Sequence, residues 1–84
     1  MKEITLEIFT PDGTLFNGEV TSVMLPGTKG VFTVLKNHAP IISSLTKGKI
    51  KYIIDDKSSV IETNGGFVEV KNNVVIVCLE TIIK

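Results

Sequence analysis

Arginine, tryptophan and glutamine are absent from this chain, and alanine, cysteine and histidine occur once each, as Ala39, Cys78 and His38. Each shortage removes a class of function. Without arginine there is no planar fork for bidentate reading of phosphate or guanine, and nine lysines against nine acidic residues give zero formal charge, so nucleic-acid binding is not expected. A lone cysteine excludes an intramolecular disulfide framework and a cysteine-based zinc cage, which favours an intracellular setting. The longest unbroken apolar run, Val74–Leu79, falls far short of the roughly 20 residues a helix needs to cross a bilayer. Glu3 and Glu7 stand where a signal peptide needs an apolar core, and no Asn-x-Ser/Thr acceptor occurs, so secretion is not indicated. Any membrane association is expected to run through another protein.

What remains is short and apolar. Hydrophobic residues make up 43% of the 84, and a domain of this size buries only roughly 60–65% of the surface its unfolded chain exposes. Residues 1–84 are therefore expected to form a single domain with apolar surface left over, and a large patch of that kind usually marks a partner site. β-Branched Val, Ile and Thr run through every segment while helix formers are scarce. The expected fold is all-β, a small β-sandwich or flattened barrel of short, mainly antiparallel strands.

Along the chain, Ile4, Leu6 and Ile8 alternate with Glu3, Thr5 and Glu7 into a half-buried strand ending at the turn Thr10-Pro11-Asp12-Gly13-Thr14. Residues 19–25 read as the next strand, stopped by Pro26-Gly27, followed by strands over 31–35 and, after Pro40, 41–45. Lys47-Gly48 opens an alternation with Ile50, Tyr52 and Ile54 on one face and Lys49 and Lys51 on the other. Asp55-Asp56-Lys57-Ser58 turns the chain into a strand over 59–63, and Asn64-Gly65 is a tight-turn signal. Strands over 67–71 and 74–79 flank Asn72-Asn73. The last is apolar on both faces, so it is expected to lie centrally or to be covered twice.

The densest positional signals lie between Gly27 and Pro40: a glycine-bounded loop, a short strand, and a loop carrying His38. Binding residues gather on such loops over a rigid β scaffold. Nucleophilic catalysis needs a nucleophile, a base and an orienting group in reach. Cys78 in an apolar strand reads instead as a small buried packing residue, and His38 as the maker of a structural or interface hydrogen bond. Asp55 and Asp56 read as a solvated turn. Gly48-Lys49 is followed by Ile50, and Ser43 stands where a phosphate loop needs its first glycine; Gly27-x-x-Gly30 is too short for a dinucleotide fingerprint. No further ligands accompany His38 locally, so catalytic, cofactor-binding and metal-binding residues are all expected to be none.

From first strand to last, the chain resembles the N-terminal β-sandwich domain of the ε subunit of F-type ATP synthases, the equivalent of the mitochondrial δ subunit. Five motifs in order carry the resemblance: Leu15-Phe16-Asn17-Gly18-Glu19-Val20, Leu25-Pro26-Gly27-x-x-Gly30, Asn37-His38-Ala39-Pro40-Ile41-Ile42, Lys47-Gly48-x-Ile50 and Gly65-Gly66-Phe67-Val68-Glu69-Val70. The resemblance implies a non-catalytic rotor subunit without a cofactor, on the cytoplasmic face of a bacterial plasma membrane. There it would link the γ subunit to the ring of c subunits and couple ion translocation to ATP synthesis. It further implies that Gly27, Thr28, Lys29, Gly30 and Val31 face the c ring, and that Thr10, His38 and Ser43 face γ.

Two departures qualify what the resemblance implies. Family members commonly carry an acidic residue at the position of Val31, and often Pro-Gly at Lys36-Asn37, so the ring contact is expected to be more apolar here. The chain also ends just after its last strand, so the C-terminal helical hairpin of many members is expected to be missing; if 84 residues is the natural length, regulation of hydrolysis resides elsewhere. A different class of reading is a lipoyl or biotinyl carrier domain modified at Lys57 in a hairpin. Ser58 stands where the lipoyl pattern prefers alanine, and the biotinyl pattern needs methionine on both sides. A ligand-binding β module would want an aromatic face, and four Phe with one Tyr supply little of one.

Overall fold

The structure, a computed structural model, describes residues 4–80. Its strands are β1 (Ile4–Thr10), β2 (Gly13–Val20), β3 (Ser22–Gly27), β4 (Gly30–Val34), β5 (Ile41–Leu45), β6 (Gly48–Ile54), β7 (Lys57–Thr63), β8 (Gly66–Lys71) and β9 (Val74–Leu79). They make one curled sheet in the order β2-β1-β9-β8-β5-β3-β6-β7, with β4 paired to β3. The fold is all-β, as expected, and among the described residues only β1 with β9 pair in parallel.

The sheet turns back on itself where β5 meets β3. Gly27 and Leu45 are the one residue pair there, and two backbone bonds hold the corner, Thr28 N to Ser44 O at 3.1 Å and Thr46 N to Pro26 O at 2.8 Å. The first layer is β2-β1-β9-β8-β5 and the second is β4-β3-β6-β7. Period-two alternation then points Leu6, Ile8, Val23, Leu25, Ile50, Val68, Val75 and Val77 into the space between, all fully buried. Each such side chain stabilises the fold by about 1.5–3 kcal/mol relative to leaving it in water. Phe16 of β2 packs on Tyr52 of β6, ring centroids 4.5 Å apart, and ties the far edge of the first layer to the second.

Three expectations change. The segment 13–20 forms β2, which the sequence pattern did not reveal. Its register with β1 shifts between Ile8↔Phe16 and Phe9↔Thr14, so Leu15 is an extra residue, and a bulge of this kind destroys the alternation that marks a strand. The strand expected over 19–25 is divided at Thr21, which carries the chain between layers; its N and Oγ1 both donate to Ile53 O, at 2.9 and 3.1 Å. Finally, Asn64-Gly65 does not close a hairpin, because β7 belongs to the second layer and β8 to the first. It is a crossover, pinned by Gly65 N donating to Thr63 Oγ1 at 3.1 Å and Glu80 N donating to Gly65 O at 3.1 Å. β9 lies in mid-sheet between β1 and β8, as its two apolar faces suggest.

Successive connections alternate between two ends of the sandwich. One end gathers the turns between Thr10 and Gly13, Gly27 and Gly30, Leu45 and Gly48, and Thr63 and Gly66. The other gathers Thr21, the loop over 35–40, and the turns at Asp55-Asp56 and Asn72-Asn73.

Candidate docking surface

The hairpin β3–β4 reverses over Thr28 and Lys29 between the paired Gly27 and Gly30. Gly27 is needed for close approach: a Cβ there would sit 2.7 Å from Gly30 O and 3.0 Å from the Phe32 ring. Thr28 Oγ1 and Ser44 Oγ, 2.9 Å apart, share a hydrogen bond that fastens the hairpin tip to β5. Between the hairpin and β5 lies a cleft of about 490 Å³, lined by residues 27–32 and 41–44. Val31 on one lip is 68% exposed and Ile42 on the other 76%.

The sequence-predicted residues divide between the two ends. Gly27, Thr28, Lys29, Gly30 and Val31 line one side of the cleft, and Ser43 lies within the opposite wall, its Oγ donating to Ser44 O at 3.0 Å. Thr10 belongs to the same end but to the far side of the first layer, three strands from β5. At about 4.8 Å per strand that is roughly 14 Å. Its Oγ1 donates to Gly13 O and accepts from Asp12 N, both at 3.2 Å, so its local role is to close the β1–β2 turn.

His38 sits at the opposite end, half-buried, with Nδ1 2.6 Å from Ala39 O and its backbone N donating to Leu35 O at 3.1 Å. Its loop is clasped to the β8–β9 turn. Asn37 N donates to Asn73 Oδ1 at 2.6 Å, and Asn73 Nδ2 donates to Asn37 Oδ1 at 3.3 Å. Asn37 (φ 66°) and Asn73 (φ 63°) are both left-handed, a conformation asparagine tolerates because its short side chain bonds locally.

The outward face of the first layer was only partly foreseen. Cross-strand register aligns Phe9, Cys78 and Phe67 in one row, with Ile42, Glu69, Ile76 and Glu7 in the next. Phe67 is 55% exposed. Cys78, expected to be buried, is instead half-buried in this row, near the glycine-rich end and remote from His38, so no thiol–imidazole pair forms. The apolar parity of β9 on both faces was the signal for this row. Among the described residues no cluster of three or more His, Cys, Asp or Glu is placed to hold a metal, and no helix is long and apolar enough to cross a membrane. Lys57 opens β7 opposite Ile54, with Asp55 and Asp56 at the hairpin tip, so the tip lysine required by the carrier-domain reading is not there.

Comparison with known proteins adds independent findings. Residues 3–84 match the family described as ATP synthase, Delta/Epsilon chain, beta-sandwich domain. The ATP synthase epsilon chain of Chlorobaculum tepidum is 42% identical over 82 residues, covering 96% of this chain and 93% of that one. That of Desulfitobacterium hafniense is 43% identical over 77 residues, covering 92% of this chain and 58% of the longer relative. A chain in the Euglena gracilis mitochondrial ATP synthase OSCP/F1/c-ring structure superposes with TM-score 0.91 at 20% identity, over 99% of this chain and 54% of that one. A second, from the Tetrahymena thermophila central stalk and c ring, gives 0.82 at 14% identity, over 100% and 69%. At these identities the two structures speak for the fold.

Proposed function

Because this chain belongs to the delta/epsilon-chain family of ATP synthase β-sandwich domains, we propose that it acts as a central-stalk subunit, linking the γ subunit to the membrane c ring and carrying torque between ion flow and ATP synthesis. Epsilon chains are non-catalytic, and the chemistry required of this one is adhesion to two partners at once. The carrying observation is the division of its surface. A bare, glycine-rich end displays Val31 beside the cleft, while the outward face of the first layer carries the apolar row Phe9, Cys78 and Phe67.

In this reading Gly27, Thr28, Lys29, Gly30 and Val31 meet the ring. Thr10, His38 and Ser43 meet γ, which then has to run along the first layer from the clasped loop at one end to the β1–β2 turn at the other. The single domain over 1–84 reaches the cytoplasmic face of the bacterial plasma membrane through the assembled complex. Val31 in place of the family's common acidic residue makes the ring contact an apolar one, since a buried valine side chain contributes through area while a carboxylate requires a cation.

Assembly of the subunit with γ and the c ring tests this. Val31→Lys is expected to weaken retention on the ring at least tenfold while γ binding and the unfolding midpoint stay unchanged. Equal loss of both partners, or no loss of either, would overturn the assignment of the loop.

A further inference from the structure

Among the described residues three strands pair on one side only: β2 with β1, β4 with β3 and β7 with β6. Two of these edges are guarded. A register shift bends β2 against β1 at Leu15, and β4 is only five residues long, and both devices keep an edge from pairing with another chain. β7 has neither. Its seven residues, Lys57–Thr63, run beside β6 without a shift and contain no proline, and the stretch from Ser58 to Ile61 is uncharged.

Backbone parity shows which groups on this edge are open. Ile53 O accepts from Thr21 N, so Ile53 turns its N–H and C=O toward β3, while Ile54, Tyr52, Ile50 and Gly48 turn theirs toward β7. Their partners Lys57, Ser59, Ile61 and Thr63 complete those bonds. Ser58, Val60 and Glu62 therefore direct N–H and C=O out of the sheet, and among the described residues none of these groups has a backbone partner. Val60, at the centre of the strand, is 53% exposed.

Such a row is a template for a strand, and a second copy of this chain fits it in one register. Antiparallel pairing sets open groups opposite open groups only at every second register. Centred on Val60, the full strand overlaps: Val60 meets its own counterpart, Ser58 meets Glu62, Ser59 meets Ile61 and Lys57 meets Thr63, with no like charges opposed. Slipping two residues toward the hairpin sets Asp56 against Glu62, two carboxylates; slipping two the other way shortens the overlap and leaves Val60 against Glu62. Lys51, beside Val60 on β6, lies three strand spacings from its counterpart, roughly 14 Å. That exceeds the screening length of about 8 Å at physiological ionic strength.

We propose that β7 of the free protein pairs with β7 of a second copy, antiparallel about Val60, joining two second layers into one continuous sheet. The contact uses none of the residues assigned above to γ or the ring, so it stands apart from that reading. About six main-chain hydrogen bonds with little side-chain area make a weak, concentration-dependent dimer.

Sedimentation equilibrium and amide exchange of the free protein, from micromolar to millimolar concentration, test this. A monomer–dimer equilibrium is expected, with the amides of Ser58, Val60 and Glu62 slowing about tenfold as the dimer fills. Val60→Pro, which removes an outward N–H and leaves the β6–β7 bonds in place, is expected to weaken the dimer about tenfold or more. Val60→Thr keeps that N–H and a branched side chain, and is expected to change it less than about twofold. In a Cys78→Ser background, Val60→Cys is expected to form a disulfide between copies on mild oxidation and Lys51→Cys is not, since a bridge needs Cα atoms within about 7 Å. A monomer at millimolar concentration, a dimer undiminished by Val60→Pro, or bridging by Lys51→Cys in place of Val60→Cys would each overturn the pairing.

Discussion

The two ends of the sandwich solve the same conformational problem with different residues. Both need backbone at positive φ. At the end holding residues 27–30 the positive-φ residues are Gly13, Gly30, Gly65 and Gly66; at the end holding His38 they are Asn37, Asp55, Asp56, Asn72 and Asn73. Glycine leaves the main chain bare, so connections can lie against one another. Gly66 approaches the Cys78 carbonyl so closely that a Cβ has no room, and a Cβ on Gly65 would lie 2.9 Å from Leu45 O. Asparagine and aspartate reach the same dihedrals while keeping side chains that bond locally or hold water. One end is therefore bare backbone with the apolar lips Val31 and Ile42, and the other is a polar rim with a clasped loop. Turn chemistry thus separates a bare, glycine-rich end from a polar end where the Asn37–Asn73 clasp holds the loop of His38.

Exchanging the two chemistries tests that contrast. Gly66→Asn carries the polar solution to the bare end and meets both the Cys78 carbonyl and φ +151°. It is expected to lower the unfolding free energy by about 3 kcal/mol or more, measured by urea denaturation. A loss below about 1 kcal/mol would show that the crossover has room to adjust. At the opposite end Asn73→Ala removes the clasp and strains φ 63°, with an expected cost of about 2 kcal/mol and faster exchange of the Asn37 amide. Asn73→Gly relieves the dihedral and still removes the clasp, so about half that cost is expected to remain. The smallest effect belongs to Asn72→Gly, where φ 53° suits glycine and no side-chain bond is at stake. A stability change within about 0.5 kcal/mol is expected there, and a drop as large as that of Gly66→Asn would erase the distinction between the ends.

Much of the architecture was legible along the chain. β5 and β9 occupy the residues their apolar patterns marked, and β6 follows its lysine and isoleucine alternation to within one residue at its start. β2 was not legible, because the Leu15 bulge removes the period that a strand is recognised by. Asn64-Gly65 carries the sequence mark of a hairpin, yet whether a reversal joins neighbours or crosses between layers depends on where β8 finds its partners. That Ser43 lies in the wall of the cleft beside Thr28 and Val31 was not legible, because only the fold brings β5 against the β3–β4 hairpin.

Composition and local pattern by themselves determined that this chain is all-β and keeps apolar surface to spare, and five motifs in order carried its resemblance to the ATP synthase epsilon subunits. Those are properties of residue type and spacing, decided within a few residues of each position. Only the tertiary structure decided which turns share an end, that Asn37 meets Asn73, that Phe9, Cys78 and Phe67 form one row, and that a cleft lies between the β3–β4 hairpin and β5. Each of these joins residues far apart in the chain, and cross-strand register, which no local preference encodes, is what brings them together.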